Sequence, residues 1–270
     1  MESGKFSPVI QYIRRIAAGQ ASHLSDSALL DRFNAGHDEE AFAVLLQRHG
    51  RLVLATCRRV TEDWHAAEDC FQAAFLVLAT KANSLRPTES LGPWLHAVAT
   101  RVALKAKAQA TTRRIRERKT AVSIADNPRD DLLWRDLRPI IDDAIAHLPS
   151  KHRIPFVHCH LQGRTVKEIA EELGQPTGTV AACLARAREQ LRTRLIRRGI
   201  TLSAAGLATA LSENLVTASV PTSVASGTIK SAALVAAGRA VAAAFIPNKS
   251  HSQPTTGIGV VNQSGQQDGY

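Results

Sequence analysis

The segment TVKEIAEELGQPTGTVAACLARAREQLRTRL, residues 165–195, decides the fold of this chain. Thr165 stands three residues before Glu168 and just before an apolar run, which is the capping-box spacing that begins a helix. Gly174 can take the left-handed conformation that ends this short helix, and Pro176 cannot extend it. The segment therefore opens with a short helix and a tight turn.

A longer and more basic helix follows the turn. Thr177 is predicted to cap it, and its apolar residues fall on one stripe at helical spacing: Val180, Leu184, Ala187, Leu191 and Leu195. This arrangement is a helix-turn-helix, in which the second helix normally enters a DNA major groove. An ordinary helical hairpin in a core is the alternative. The small residue in the first helix, the turn glycine and the arginines of the second helix favour DNA binding.

The composition of the chain is compatible with a nucleic-acid partner. The chain has 270 residues and a formal net charge of +10, and its isoelectric point is near 10.0. We therefore expect a polyanionic partner, either nucleic acid or an acidic membrane face, while solubility of the chain is the alternative reason for the charge. Aromatic residues make up only 4% of the chain, which argues against a single-strand-binding sheet built on stacking platforms.

The pattern of cysteine and histidine predicts neither a disulfide framework nor a metal site. The four cysteines are scattered without a Cys-x-x-Cys pair, which is typical of reduced thiols in a cytoplasm. Neighbouring residues on a helix point in different directions, so the run at 158–160, His-Cys-His, does not converge on a zinc ion. We expect no metal and no cofactor. Arginines interrupt the apolar stretches near the N-terminus and at 232–246, which predicts a soluble, cytoplasmic protein.

Helical periodicity predicts an all-α fold of two small helical domains, with helices of the first domain capped by Asp38 and Asp63. The predicted division is a lead-in at 1–24, a first domain at 25–112, a flexible basic linker at 113–130, a second domain at 131–198 and a tail at 199–270. The tail is a low-complexity segment rich in Ala, Ser and Thr, so we expect it to be flexible or weakly helical.

Two helical domains, a basic linker and a terminal helix-turn-helix resemble the extracytoplasmic-function (ECF) group of bacterial sigma-70-type transcription factors. The first domain resembles sigma region 2 in LLQRHGRLVLATCRRV (45–60), HAAEDCFQAAFLVLATKA (65–82) and LGPWLHAVATRVALKAKAQA (91–110). The second domain resembles region 4 over residues 144–192. The runs QAAFLVL and SLGPWLH resemble the subgroup abundant in planctomycetes. The region 2-like and region 4-like segments, found together in this order, indicate the family far more specifically than either segment alone.

The resemblance implies a protein that binds core RNA polymerase, reads two promoter elements and traps unpaired DNA, without chemistry of its own. The polymerase large subunit would be contacted at its clamp and flap, and the clamp would meet Glu68, Asp69, Phe71 and Gln72. A catalytic or metal-binding carboxylate pair is an alternative for the two acids, but adjacent helical residues diverge by about 100°. A solvated acidic face is the remaining alternative.

The resemblance also implies promoter contacts in both domains. The −10 element and its melted strand would meet Trp94, His96, Arg101 and Lys105, although a core position is an equal alternative for the tryptophan. The −35 element would meet Thr165, Thr177, Thr179, Ala181, Ala182, Arg186 and Arg188. Family members often carry Lys, Ser and Arg at 181–183, where this chain has Ala, Ala and Cys. Recognition of the −35 element is therefore expected to depend mainly on the shape of the DNA and on contacts with its phosphate backbone.

Three classes of function are weighed on this basis. The leading hypothesis is a sigma factor whose partners are core RNA polymerase, promoter DNA and an anti-sigma factor or other regulator, with no small-molecule substrate. The second is a stand-alone helix-turn-helix regulator with a helical sensing or dimerisation domain, which would bind duplex DNA without polymerase. The third is a nucleic-acid enzyme. Because the chain lacks a Gly-rich phosphate loop, convergent metal ligands and a nucleophile elbow, we expect no enzyme. Contact of the Ala-rich tail with a bilayer surface stays open.

Overall fold

The structure is a computed structural model that describes residues 23–36, 38–85, 90–118, 129–200 and 219–244. Every regular element within these ranges is a helix, so the predicted all-α fold is confirmed for them. Most of the lead-in at 1–24 and part of the linker at 113–130 lie outside the described residues. The helices form two domains that pack against each other.

The first domain contains α1 (Asp26–Gly36), α2 (Glu39–Thr61), α3 (Trp64–Lys81), a short 3₁₀ helix (Ala82–Ser84) and α4 (Leu91–Arg118). Asp38 caps α2 as predicted, because its carboxylate accepts hydrogen bonds from the backbone N–H groups of Glu40 and Ala41. Asp63 caps α3 in the same way through the N–H group of Ala66. Each cap satisfies backbone donors that have no partner inside the helix.

Helices α2, α3 and α4 pack on one another, and α1 packs on α2. Four phenylalanine rings, all at most 1% exposed, fill the centre: Phe33, Phe42, Phe71 and Phe75. The centroids of Phe33 and Phe42 are 4.7 Å apart, and those of Phe71 and Phe75 are 4.9 Å apart. Tilted aromatic pairs at this distance stabilise a core beyond their buried area.

The second domain contains α5 (Arg129–Ala146), α6 (Ser150–His160), α7 (Val166–Leu173) and α8 (Thr177–Arg197). Helix α4 continues to Arg118 and α5 begins at Arg129, so helices reach into both ends of the linker predicted at 113–130, whose residues 119–128 lie outside the described residues. The predicted apolar stripe of α8 is fully buried in the core of this domain, with Ile145, Phe156 and Ile169 around it.

The turn between α7 and α8 follows the sequence prediction closely. Thr165 and Glu168 form a capping box in which each side chain bonds the backbone N–H of the other residue. Gly174 ends α7 with φ +61°, a left-handed conformation that favours glycine. One detail differs: the cap position of α8 is Pro176, and Thr177 is the first helical residue, so it does not act as the predicted cap. Proline suits this position because its missing N–H costs no helical hydrogen bond.

The described part of the tail contains a further helix, α9 (Thr222–Ala244), that packs against α2 and α3 of the first domain. Four residues spaced one turn apart are buried in the first domain's core cluster or beside it: Val224, Thr228, Ala232 and Ala236. The expectation of a flexible or weakly helical tail did not include this packed helix, and it stays a prediction for residues 201–218 and 245–270, which lie outside the described residues. The sequence signal for a packed helix is weak here because alanine gives little difference in hydrophobicity between the buried and exposed faces. Alanine is nevertheless the best helix former.

A buried ion pair joins the two domains. The guanidinium of Arg59 in α2 donates two hydrogen bonds to the carboxylate of Asp142 in α5, at 2.9 Å from Nε and 2.8 Å from Nη2. His96 in α4 lies 3.0 Å from the same carboxylate through Nε2. Arg59 is 8% exposed, Asp142 is 2% exposed and His96 is fully buried. Three helices from both domains therefore meet at one carboxylate.

Close packing extends this contact between the domains. Leu52 of α2 belongs to the hydrophobic core of the second domain. Ser90 Oγ lies 2.8 Å from His158 Nε2. At Gly92, a Cβ atom would stand 2.7 Å from the Gln162 amide nitrogen, so only glycine fits here without a shift of that side chain. The contact between the domains therefore combines the buried ion pair with apolar packing at Leu52 and a polar contact between Ser90 and His158.

The ion pair makes the first testable prediction. We expect Asp142→Ala to lower the free energy of unfolding by about 3–5 kcal/mol, because it leaves the Arg59 charge buried without a partner. The double variant Arg59→Met/Asp142→Leu removes both charges, so we expect it to cost clearly less than the single variant. Urea unfolding of the full chain, followed by circular dichroism, measures both. Equal losses in the two variants would contradict this role.

The same group of side chains predicts a pH dependence. Burial lowers the pKa of His96 from its ordinary value of 6.5, and the hydrogen bond to Asp142 offsets this only in part. Burial acts to raise the pKa of Asp142, but the Arg59 charge and the two hydrogen-bonding partners outweigh it and hold the pKa at about 2. Both groups therefore bind protons less readily in the folded state than in the unfolded state.

Stability is expected to fall on acidification in two stages. The His96 contribution is complete above pH 6.5 and is lost below it, because the unfolded chain takes up a proton that the buried ring resists. The Asp142 contribution is complete above about pH 4 and is lost as the pH falls towards about 2. Thermal unfolding at a series of pH values tests this. His96→Gln keeps a donor but has no titrating group, so its melting temperature should fall less between pH 7 and pH 5; an identical slope would contradict the assignment.

Candidate nucleic-acid interface

The helix-turn-helix presents all seven of its predicted DNA-contacting residues to solvent. They are Thr165, Thr177, Thr179, Ala181, Ala182, Arg186 and Arg188, and each of them is exposed. The first turns of α8 carry small side chains, while its buried stripe faces away into the core. A helix with this form can approach a groove closely, and its threonine hydroxyls and alanine methyl groups can contact base edges.

The arginines of α8 divide into two groups by their contacts. Arg194 donates a hydrogen bond to the Ala144 carbonyl at 3.2 Å, and Arg198, just beyond the helix end, lies 2.6 Å from Asp143. These two residues hold the end of α8 against α5. Arg186 and Arg188 lie nearer the exposed start of the helix, where charge is available to phosphates. The sequence alone did not separate the arginines that contact α5 from those that do not.

His160 supports the position of Arg188. The imidazole Nε2 lies 3.4 Å from Arg188 Nη2, and the ring packs in a tilted arrangement against Phe156 with centroids 4.5 Å apart. Burial, followed by the neighbouring Arg188 charge, lowers the pKa of His160 to about 4. The ring is therefore neutral near pH 7 and accepts a hydrogen bond from Arg188 without adding or removing charge at this surface.

A second basic surface lies on α4 of the first domain. Arg101 and Lys105 are one turn apart and both exposed, and Arg101 Nε donates to the Ala97 carbonyl at 3.1 Å. Lys107 lies 2.8 Å from Glu62, so part of its charge is balanced. Residues 86–89 of the preceding loop lie outside the described residues. Arg101 and Lys105 form the part of this surface that is suited to phosphate contact.

Two residues predicted at the −10 surface differ from expectation. His96 is fully buried beside Asp142, so its prediction as a DNA contact is wrong. Its Nδ1 atom has no hydrogen-bond partner among the described residues, which fits a neutral ring that donates from Nε2. Trp94 is half-buried and packs against the core of the first domain, which agrees with the alternative core position.

The predicted polymerase-docking residues on α3 differ in their exposure to solvent. Asp69 is exposed, and Glu68 and Gln72 are half-buried. Phe71 is completely buried in the aromatic core, so it cannot contact a partner directly, and its prediction as a docking residue is wrong. The spacing of Phe71 from Ala67 and Phe75 already placed it on the inner stripe of the helix. Glu68, Asp69 and Gln72 are named the docking surface below.

Sequence reasoning missed Trp64 at the beginning of α3. Its side chain is 39% exposed, which is unusual for such a large aromatic residue. The Arg58 guanidinium lies over its ring at 4.8 Å from the centroid, a cation–π contact that fixes both side chains. No sequence signal indicated this exposure, because Trp64 lies three residues before Ala67 and seven before Phe71, on the stripe that is buried further along α3. This pair extends the surface of α3 beyond the acidic residues.

The structure gives the histidines at 158–160 separate partners. His158 Nδ1 lies 2.6 Å from Gln162 Oε1, whereas the ring of His160 packs against Phe156. Burial lowers the pKa of His158 to about 4. In the part of the chain that the structure describes, no group of three His, Cys, Asp or Glu residues could hold a metal ion. None of the described helices is long and apolar enough to cross a membrane.

Comparison with known protein families matches the two domains separately. The model described as "Sigma-70 region 2" matches residues 45–113, which run from α2 into α4. The model described as "Sigma-70, region 4" matches residues 138–191, which run from α5 into α8. The matched segments follow the order of the two domains along the chain.

Several curated proteins are similar to most of the two-domain unit. The ECF RNA polymerase sigma factor SigM of Mycobacterium tuberculosis is 28% identical over 184 residues, which cover 68% of this chain and 91% of that protein. The ECF RNA polymerase sigma factor SigW of Bacillus subtilis is 29% identical, with 58% and 90% covered. A solved structure, the sigma factor RpoE in complex with the anti-sigma factor NepR from Bartonella quintana, is 21% identical. It covers 56% of this chain and 94% of that chain, with a TM-score of 0.27, which is too low to compare the overall folds.

Proposed function

We propose that this chain, which belongs to the extracytoplasmic-function (ECF) group of the sigma-70 family, binds core RNA polymerase and directs it to promoters for transcription initiation. The observation that carries this function is the presence of region 2 and region 4 matches in one chain, in that order, on two packed helical domains. A sigma factor is an initiation factor and not an enzyme. We place its activity with RNA polymerase in the cytoplasm.

The helix-turn-helix is proposed to contact the −35 element. The start of α8 offers Thr177 and Thr179 hydroxyls and the methyl groups of Ala181 and Ala182, but no side chain that can form a bidentate bond to guanine. Arg186 and Arg188 are proposed to bind phosphates nearby. Recognition at this element therefore depends more on backbone position and DNA shape than on direct hydrogen bonds to bases.

The first domain is proposed to contact the −10 element and the strand that melts there. Arg101 and Lys105 on the exposed face of α4 are suited to the phosphate backbone. Trp94 stays in this proposal only at its exposed edge, because most of its ring packs against the core. His96 has no part in it, since it is buried between the domains.

Binding of core polymerase is proposed to use the docking surface on α3. Asp69 is fully available there, and Glu68 and Gln72 are accessible in part. Acidic and amide groups on one helical face can pair with basic groups of a partner.

We also propose that an anti-sigma factor or other regulator controls this chain. We further propose that this chain falls in the subgroup abundant in planctomycetes. The runs at 72–78 and 90–96 support that subgroup.

A stand-alone regulator is less well supported than a sigma factor. Such a regulator needs only a DNA-binding domain and a sensing or dimerising domain, whereas here the first domain itself matches sigma region 2. An enzyme is also less well supported. Glu68 and Asp69 are neighbours on one helix, and no other carboxylate or histidine joins them in a metal-binding group among the described residues.

The direct test is run-off transcription with purified core RNA polymerase and a library of genomic promoter fragments. We expect transcripts that begin at fixed sites only when the full-length protein is added, with a shared pair of −35 and −10 sequences upstream. The control is core polymerase alone. Specific binding of duplex DNA by the protein without polymerase, together with no added transcription, would favour the stand-alone regulator.

Arg188 allows a sharper test of the −35 surface. With the polymerase complex, we expect Arg188→Ala to weaken promoter binding at all sequences and to reduce the slope of log affinity against log salt by about 0.9, as expected for one phosphate contact. Arg197→Ala is the matched control, because it removes the same charge from the same helix about 14 Å further along. Equal effects of the two variants would contradict a phosphate contact at Arg188.

A further inference from the structure

Helix α9 lies against the docking surface on α3. The position that a Cβ would take on Gly227 of α9 is 3.8 Å from the amide nitrogen of Gln72. The helix packs on both α3 and α2. A partner that must reach Gln72 therefore meets α9 at the same place, while Asp69 on the same helix stays exposed.

The face that α9 buries consists of short side chains. Thr228 and Ala232 are fully buried, and Val224 and Ala236 are nearly so. The Thr228 hydroxyl donates to the Val224 carbonyl within α9 at 2.7 Å, so the buried threonine needs no partner from the first domain. Such a contact buries little area per residue and leaves no polar group unpaired on release.

The first domain has a complete aromatic core of its own. Its four phenylalanine rings come from α1, α2 and α3, and α9 contributes only aliphatic side chains to the edge of the same cluster. Just before α9 begins, Val220 also approaches the first domain: a Cβ on Gly50 of α2 would stand 3.1 Å from Val220 Cγ2. Helix α9 is therefore an added layer on α2 and α3 whose removal leaves the central rings in contact.

We propose that α9 is an internal competitor for core polymerase: when it is seated on α3 it covers the Gln72 end of the docking surface, and polymerase binds the form in which α9 is released. This inference rests on the proposed sigma function. The closed form then lowers the apparent affinity for polymerase by the fraction of molecules that are open. The regulatory element of this proposal is α9 itself, on the C-terminal side of the helix-turn-helix.

A charge placed in the buried face of α9 tests the proposal in the full-length protein. Ala232→Arg puts a cation into the contact, and the adjacent Ser231→Arg puts the same cation on the exposed face. If 1–10% of the molecules are open, Ala232→Arg should tighten binding to core polymerase by about tenfold to a hundredfold, whereas Ser231→Arg should bind like the wild type. Fluorescence anisotropy with labelled protein measures this.

Equal affinity of Ala232→Arg and wild type would overturn the proposal. Weaker binding by Ala232→Arg would also overturn it, because α9 would then support the docking surface. Circular dichroism melting of each variant separates such an effect from loss of the fold.

A second experiment uses a disulfide to hold α9 on α3 in the closed form. Gly50→Cys/Val220→Cys places this disulfide: a Cβ on Gly50 stands 3.1 Å from Val220 Cγ2, which is one bond from the Val220 Cβ, and a disulfide requires a Cβ separation of roughly 3.5–4.5 Å. We expect the oxidised protein to bind core polymerase at least about tenfold more weakly than the same protein after reduction, while the single variants show no redox effect. Equal affinities of the two redox forms would overturn the proposal.

The outcomes separate this inference from the sigma function. If wild type supports promoter-specific transcription but neither arm changes polymerase affinity, the internal competitor is wrong and the sigma function stands. If no form binds polymerase, including Ala232→Arg and the reduced double variant, both are wrong.

Discussion

The carboxylate of Asp142 is the point on which the arrangement of the two domains depends. It accepts both hydrogen bonds of the Arg59 fork and lies within hydrogen-bond distance of His96, so α2, α4 and α5 meet at one buried charge. Removing two ions from water is costly, and only this close geometry offsets the cost. Apolar residues alone would tolerate small shifts in register, whereas a forked pair fixes one orientation.

The proposed function follows from what this arrangement leaves exposed. The start of α8 and the basic face of α4 both reach solvent, so the two domains can each present a DNA-contacting surface. The docking surface on α3 is different, because α9 lies against Gln72. The proposed DNA-contacting surfaces are therefore open to solvent. The proposed polymerase contact, in contrast, depends on whether α9 is seated on α3.

Local sequence signals predicted the elements and their ends well. Asp38, Asp63 and Thr165 cap helices as expected, and Gly174 ends α7 in the left-handed conformation. These features depend on neighbours within four residues, which the sequence displays directly. The family resemblance added the order of the two domains and the function, which is now supported by the separate matches to region 2 and region 4.

The errors arose where a side chain's environment comes from a distant part of the chain. His96 looks like a surface residue beside Trp94, but its partner Asp142 is 46 residues away. The resemblance implies a docking role for Phe71, but its place on the apolar stripe of α3 puts it in the core. Helix α9 was missed because Ala and Ser give little contrast between its faces. Its contact with α3 joins residues that are more than 150 positions apart.

The distance between the two domains in the free protein tests the central claim most directly. Spin labels carried by unnatural amino acids at the exposed positions Lys81 and Lys167 would report it by double electron–electron resonance without using the native cysteines. We predict one narrow distance distribution for the full-length protein and a broad one for Asp142→Ala. A broad distribution in the unaltered chain, or no change on loss of the carboxylate, would contradict the role given to the Arg59–Asp142–His96 contact.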